Sequence, residues 1–284
     1  MRRLLTSLTI ARGEPLVWGR RTYVMGIINV TPDSFSGDGL AGDLDAIVRR
    51  AVEFQGAGAD FIDVGAESTR PGHQSLAADE ELERLLPALT ALAGKVEIPI
   101  SVDTYKATVA RRALEAGASM INDVWGLKAD PYIARIAAES GAPLVLMHNQ
   151  ENTQYQDLLP DIFRSLSHSK QAALDAGVPE ENIILDPGIG FGKTAEHNLE
   201  VLRRLDEFKS LGSPLLVGTS RKSTIGRVLD LPADQRLEGT AATVALAIAG
   251  GADIVRVHDV PEMVRVCRMS DAVVRGWRPD GWTK

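Results

Sequence analysis

The chain has one cysteine, Cys267, in 284 residues, so it cannot form an intrachain disulfide and suits a reducing compartment. It has no Cys cluster, no His-Glu-x-x-His pattern and no Gly-x-Ser-x-Gly elbow, which removes support for a zinc enzyme or a serine hydrolase. No apolar stretch approaches a membrane span, and the Met-Arg-Arg-Leu-Leu start lacks the apolar region of a signal peptide. A cytoplasmic protein without membrane partners is expected. The net charge is −7 and no basic stripe is present, so nucleic acid is not an expected partner either. Linker-like, low-complexity and charge-block segments are also missing, which favours one domain over two.

What is present is an ordinary globular composition, 44% apolar and 24% charged, arranged as short apolar runs alternating with segments of helical period. Strands are predicted at Val24-Ile28, Phe61-Val64, Ile98-Val102, Ser119-Ile121, Leu144-Met147, Ile183-Leu185, Leu215-Val217 and Ile254-Val257. Between them lie helical segments such as Leu44-Gly58, Asp79-Gly94, Lys106-Gly117 and Leu237-Gly250, each ending in the Gly that helix C-termini prefer. A further helix, Pro261-Arg275, carries Cys267. The turns Gly58-Ala-Asp60, Gly117-Ala-Ser119 and Gly251-Ala-Asp253 repeat one helix-to-strand connection. Strands buried on both faces and separated by helices imply a parallel sheet, and eight such units favour an α/β fold closed into a (β/α)8 TIM barrel. An open doubly wound sheet is the structural rival. The expected division is an N-terminal appendage at 1–22, one reading of which is a hairpin over the barrel floor, a barrel at 23–275 and a tail at 276–284.

In such a barrel the chemistry collects at the C-terminal ends of the strands. There the chain supplies Asn29, Asp63 with Glu67 to Arg70, Asp103, Asn122-Asp123, His148-Asn149, Asp186, Ser220-Arg221-Lys222, and Arg256 with His258-Asp259. A helix cap explains any single one of these, Asp103 before Thr104 especially, but not eight together. The segment from Asn29 to Gly39 is too long for a routine connection, and its amide, carboxylate and hydroxyl oxygens suit Mg²⁺ beside a phosphorylated substrate. Asp103, Asn122, Asp186 and Lys222 suit a flat heterocycle with a guanidine-like edge, Asp186 being the bidentate acceptor. Arg70, Arg256 and His258 suit a phosphate or diphosphate, the plain alternative for Arg256 being an ion pair inside the barrel.

The segment Pro187-Gly-Ile-Gly-Phe-Gly-Lys-Thr194 ends like a phosphate-binding P-loop, but Pro187 occupies the position of its first glycine. A dinucleotide reading is weak because no acid follows at the next strand end. The preferred reading is a flexible wall, with Gly190 allowing close approach and Phe191 covering the face of a planar ligand. His73, His168 and His197 read as bystanders. Met147 and the four tryptophans read as packing residues, with Met147 a candidate to line the pocket.

These motifs, in this order, resemble the dihydropteroate synthase family of folate biosynthesis. The carriers are Asn-Val-Thr-Pro-Asp-Ser-Phe-Ser (29–36), Asp-Val-Gly-Ala-Glu-Ser-Thr-Arg-Pro-Gly (63–72), Ser-Val-Asp-Thr (101–104), Ile-Asn-Asp-Val (121–124), Leu-Met-His (146–148), Leu-Asp-Pro-Gly-Ile-Gly-Phe-Gly-Lys (185–193), Gly-Thr-Ser-Arg-Lys-Ser (218–223) and Arg-Val-His-Asp-Val (256–260). The resemblance runs from Tyr23 to Val274. It implies a homodimeric barrel that joins 7,8-dihydropterin-6-ylmethyl diphosphate to 4-aminobenzoate with Mg²⁺ as cofactor. It also implies Mg²⁺ on Asn29, and catalytic roles for Asp103, Asp186 and Lys222. The pterin would lie among Asp103, Asn122, Met147, Asp186, Gly190, Phe191 and Lys222. Diphosphate would meet Thr69, Arg70, Arg256 and His258, and the loop and 4-aminobenzoate positions would be Phe35, Asp38 and Ser223. One departure stands out: the family commonly reads Ser-Phe-Ser-Asp-Gly-Gly where this chain reads Ser34-Phe-Ser-Gly-Asp-Gly39, which moves the acid one place to Asp38. The rivals are a methyltetrahydrofolate:corrinoid methyltransferase-like barrel and a non-catalytic pterin-binding homologue.

Overall fold

A computed structural model describes residues 7–8, 15–31, 43–67, 75–279 and 281–282. Eight parallel strands form its centre: β3 (Tyr23–Asn29), β4 (Phe61–Gly65), β5 (Ile100–Asp103), β6 (Met120–Asp123), β7 (Leu144–Met147), β8 (Ile183–Asp186), β9 (Leu216–Val217) and β10 (Ile254–Val257). Their order is β8-β7-β6-β5-β4-β3-β10-β9, and the ring is closed by a parallel bridge between Leu185 and Leu215, where Leu185 N–H donates to Pro214 O at 2.9 Å. The helices α1 (Leu44–Ala57), α2 (Ala78–Leu92), α3 (Ala107–Glu115), α4 (Tyr132–Ser140), α5 (Leu158–Asp175), α6 (Ala195–Arg203), α7 (Ser223–Leu229), α8 (Leu237–Ala249) and α9 (Val260–Val274) cover it. The expected TIM barrel is therefore present. Among the described residues, no helix is long and apolar enough to cross a membrane.

The two-residue period of each strand separates two cores. Val24, Ile28, Ile62, Val64, Val102, Ile121, Leu144, Leu146 and Val255 face outward and pack under the helices. Met25, Phe61, Met120, Val145, Ile184, Leu216 and Ile254 form a second apolar cluster with Tyr23, Leu8 and Trp18. Leu8 belongs to β1 (Ser7–Leu8), which pairs antiparallel with β2 (Leu16–Val17). Trp18, just after this hairpin, meets Tyr23 edge-on at 5.5 Å, and the Tyr23 hydroxyl accepts from Val17 N–H at 2.7 Å. The hairpin thus closes the N-terminal end of the barrel, leaving the other end to the polar residues.

Several strands differ from expectation by a residue or two. The ladder takes in the terminal polar residues Asn29, Asp103, Asp123 and Asp186, because backbone pairing does not depend on side-chain polarity. Strand β5 starts at Ile100 instead of Ile98, since Pro99 has no N–H to donate. Gly58, Gly117 and Gly251 adopt φ of +100°, +111° and +99°, so the repeated turn has one geometry in all three places. Gly250, expected to end α8 in this way, remains right-handed. Of the tryptophans, Trp18 packs as expected, whereas Trp282 is 64% exposed.

Candidate active site

At the upper end of the barrel, register places Asn29 beside Gly65, Gly65 beside Asp103 and Asp103 beside Asn122. Asp63, two residues before Gly65, is fully buried. Its Oδ2 accepts from Arg256 Nε at 2.6 Å and Asn122 Nδ2 at 3.1 Å, while Arg256 Nη2 donates to Asp103 Oδ2 at 2.8 Å. The plain alternative for Arg256 is thus realised. A guanidinium drawn into the barrel must be paired to offset desolvation. Burial opposes its charge, and Asp63 and Asp103 more than compensate, raising its pKa. Nineteen per cent of the Arg256 side chain is still exposed, so the ion pairs do not close it to a further anion.

The carboxylates of this cluster are under strong electrostatic tension. Burial, resisted by Arg256 but reinforced by Asp63 and Glu81, pushes Asp103 up to about 7. Asp63 Oδ1 and Asp103 Oδ1 are buried without a hydrogen-bond partner among the described residues. Leaving a buried acceptor unsatisfied costs on the order of 1–3 kcal/mol, and N–H donors of a bound ring would recover it. Asp103 is no helix cap, since α3 begins four residues later after Lys106.

Asp186 sits across the ladder from Met147. Its Oδ1 accepts from Gly188 N–H at 2.7 Å, and burial raises its pKa to about 6 against the pull of that bond and of Lys222 and Lys193. Lys222 lies half-buried with Nζ 4.1 Å from the centroid of Phe191, a cation–π arrangement. A Cβ on Gly190 would lie 3.0 Å from Lys222 Cδ, so the backbone of the glycine segment runs against the lysine stem. Ser223 follows Lys222 as the exposed first residue of α7. His258 N–H donates to Ser220 Oγ at 3.1 Å, and its Nδ1 lies 2.9 Å from the same oxygen. Asn29 ends β3 half-exposed. Phe35, Asp38, Thr69, Arg70 and His73 lie outside the described residues.

The expectation of a flexible glycine wall needs correction. Gly190 N–H donates to Asn198 Oδ1 at 2.8 Å, Tyr155 OH donates to Gly192 O at 2.7 Å, and Phe191 N–H donates to Gly188 O at 3.1 Å. Gly188 has φ +72°, and a Cβ there would stand 1.9 Å from His148 O. The glycines serve close packing in a segment that neighbouring side chains pin down. His197 is also more than a bystander: half-buried, it caps α6 with Thr194 and meets Tyr155 edge-on at 5.1 Å.

Three residues have contacts that the sequence does not disclose. Asp63 was visible at a strand end but had no role. Lys193 belongs to the P-loop-like segment and ends the 185–193 family motif without a role of its own in the sequence, yet it is 9% exposed and 2.8 Å from His148 Nδ1. Glu67 is buried and bonded to Lys106 and Tyr105, and Lys106 also reaches Glu81 at 2.5 Å. A cleft of about 840 Å³ opens at the other end of the barrel, lined by Arg20, Arg21, Asp60, Arg275 and Arg278 among others. None of the strand-end residues lines it.

The chain as a whole has known relatives. The family model described as pterin binding enzyme matches residues 25–258. The dihydropteroate synthase of Clostridium beijerinckii is 52% identical over 258 residues, covering 90% of this chain and 96% of that one. The crystal structure of a Clostridium difficile dihydropteroate synthase in the presence of pteroic acid is 51% identical, with a TM-score of 0.87 over 91% of this chain and 98% of its own. The Xanthomonas albilineans dihydropteroate synthase with 4-aminobenzoic acid is 39% identical, with a TM-score of 0.87 over 95% of this chain and 100% of its own. The chain belongs to the dihydropteroate synthase family of pterin-binding enzymes.

Proposed function

We propose that the protein joins 7,8-dihydropterin-6-ylmethyl diphosphate to 4-aminobenzoate, giving 7,8-dihydropteroate and diphosphate. The observation that carries this reading is the buried cluster of Asp103 and Asp186 under the influence of Arg256 and Lys222. It combines acceptors for the N–H edge of a reduced pterin with cations for a departing diphosphate. Asp186, assisted by Asn122 and Asp103, accepts from the ring's guanidine-like edge. Met147, Gly190 and Phe191 line its faces, and Lys222 supplies a donor at its rim. The C–O bond to the diphosphate breaks with its electron pair leaving on oxygen, and the electron-rich ring carries the methylene cation. Ionised Asp103 and Asp186 favour that cation electrostatically. The 4-aminobenzoate nitrogen then attacks carbon and sheds a proton to water.

Arg256, through its exposed edge, and His258 hold the diphosphate, with Thr69 and Arg70 assigned there by resemblance. Phe35, Asp38 and Ser223 are assigned by resemblance to the loop and 4-aminobenzoate side. Asn29 fits as a Mg²⁺ ligand: it is a half-exposed hard oxygen donor at a strand end, and Mg²⁺ takes few protein ligands alongside substrate phosphates and waters. No group of three or more acidic, His or Cys side chains that suits a metal occurs among the described residues. When bound, Mg²⁺ supplies charge neutralisation to the diphosphate. We also propose a homodimer in the cytoplasm, supported respectively by the exposed apolar side chains of α8 and α9 and by the lone buried Cys267.

The test is dihydropteroate formation by the purified protein from the two substrates, with and without Mg²⁺. Metal-dependent product is expected, and would show Asp38 to be tolerated in its shifted place. Tight pterin binding without product would instead identify a non-catalytic homologue.

A further inference from the structure

The ammonium of Lys193 is buried behind the glycine segment that precedes it. Nζ donates to Gly188 O at 3.0 Å and Phe191 O at 3.1 Å, and lies 2.8 Å from His148 Nδ1. An ammonium has three donors and no acceptor, so these contacts use it fully and require a lone pair on His148 Nδ1. The imidazole can provide one, because burial, with repulsion from Lys193 and Lys128, pushes His148 down to about 2. Burial also draws Lys193 down to about 7 against the attraction of Asp186, while its three acceptors favour the charged form.

The reaction proposed above makes no use of this amine. Its acceptors nevertheless shape the pocket. Gly188, Gly190 and Gly192 have φ of +72°, +82° and +55°, and three such residues in five would be costly to order without fixed partners. Charge-assisted bonds to two carbonyls supply those partners. The same segment brings Gly190 against the stem of Lys222 and Phe191 against its ammonium.

We propose that Lys193, held by the imidazole of His148, is a positioning residue for the pterin ring. By drawing the Gly188 and Phe191 carbonyls onto one ammonium, it fixes the wall that Gly190 and Phe191 present beside Lys222. It touches neither substrate and acts only through that wall. The inference rests on the pterin reading of the site, but binding alone can test it.

Three variants separate positioning from mere stability. Lys193→Met keeps the apolar stem and removes the donors. His148→Leu removes the acceptor and leaves one buried ammonium N–H unpaired, whereas His148→Gln returns an acceptor oxygen. Binding of 6-hydroxymethylpterin is measured by titration calorimetry, alongside melting temperatures and steady-state kinetics. Lys193→Met and His148→Leu are expected to weaken pterin binding about tenfold or more, the scale of one charge-assisted hydrogen bond. KM for the pterin diphosphate should rise in parallel, with KM for 4-aminobenzoate changing less than about threefold and His148→Gln binding pterin within about threefold of wild type. Wild-type pterin affinity in a folded Lys193→Met protein overturns the proposal, as does a His148→Gln variant as impaired as His148→Leu. If Lys193→Met does not fold, the two His148 variants decide. Wild-type protein that binds pterin but forms no product refutes the proposed reaction while leaving this test intact; wild-type protein that binds no pterin refutes both.

Discussion

Arg256 Nε and Asp63 Oδ2 meet at 2.6 Å, although 193 residues separate them in the chain. The pair joins the last barrel strand to the second and holds Arg256 where its second nitrogen reaches Asp103. Asp63→Asn should therefore act in two ways. Breaking a fully buried ion pair typically costs about 3–5 kcal/mol, but Asp103 still balances the guanidinium here, so a loss of about 2 kcal/mol is expected. KM for the pterin diphosphate should rise as well, because an Arg256 released from Asp63 can swing away. Denaturant unfolding and steady-state kinetics measure the two effects, and an Asp63→Asn protein that matches wild type in both would contradict the positioning role.

The raised pKa of Asp186 gives opposite pH trends for activity and stability. In the proposed reaction the pterin binds to the carboxylate, so kcat/KM for the pterin diphosphate should fall as pH drops through about 6, by about tenfold per unit in the simplest case. Stability runs the other way. A carboxyl raised from 3.8 to about 6 on folding binds its proton more tightly in the native state. Its contribution is therefore complete below the unfolded value and lost as pH rises through about 6. Asp186→Asn, which cannot ionise, should gain in melting temperature relative to wild type on going from pH 5 to pH 8 while losing pterin affinity. A pH-independent difference in melting temperature would refute the burial argument, and unchanged kinetics in the variant would refute the binding role.

The barrel was legible because parallel strands buried on both faces read as unbroken apolar runs, and Leu144–Met147 and Ile254–Val257 have the predicted limits. The polar character of the upper rim was legible too, since each strand ends in a polar residue or is followed within a few residues by one. Their pairing was not, because it depends on register between distant segments. Arg256 could be seen as a cation, but its bonds to Asp63 and Asp103 follow from how β10, β3, β4 and β5 align. Glu81 looks like one of several surface acids at the start of a helix, yet it is 1% exposed and bound to Lys106. Lys193 follows three spaced glycines, a pattern with a familiar phosphate-binding meaning that concealed its inward course.

Gly188 and Gly141 offer a controlled comparison, since their φ values are +72° and +71°. A Cβ on Gly188 would lie 1.9 Å from a backbone carbonyl oxygen, whereas one on Gly141 meets nothing within 4 Å. Gly141→Ala should cost about 1–2 kcal/mol, the usual penalty for an L-residue in the left-handed region. Gly188→Ala must also displace the His148 carbonyl or the glycine segment, so a cost above about 3 kcal/mol and loss of pterin binding are expected. Thermal unfolding of the two variants under one set of conditions checks the contrast, and equal losses would mean that the close approach at Gly188 has little energetic weight.

The exposed face of the last two helices leads to the final prediction. Leu246 on α8 is 65% exposed, and Met269 and Val273 on α9 are 66% and 73% exposed. Single exposed apolar residues are unremarkable, but three large ones on helices packed against each other give a face that a second copy of the chain would cover. Leu246→Glu places a charge on that face without touching the barrel interior. If the proposed homodimer uses it, light scattering at micromolar concentration should give a dimer for wild type and a monomer for Leu246→Glu, with the helical circular dichroism retained. A monomeric wild type would remove the dimer altogether, whereas a dimeric Leu246→Glu protein would move the interface elsewhere. The proposed site residues Arg256, Asp186 and Lys222 all come from one barrel, so a folded monomer should still bind pterin. A loss of activity in that variant that scales with its fall in melting temperature would mark weaker support of the strand ends by α8 and α9, whereas a loss without a fall in melting temperature would tie activity to the dimer itself.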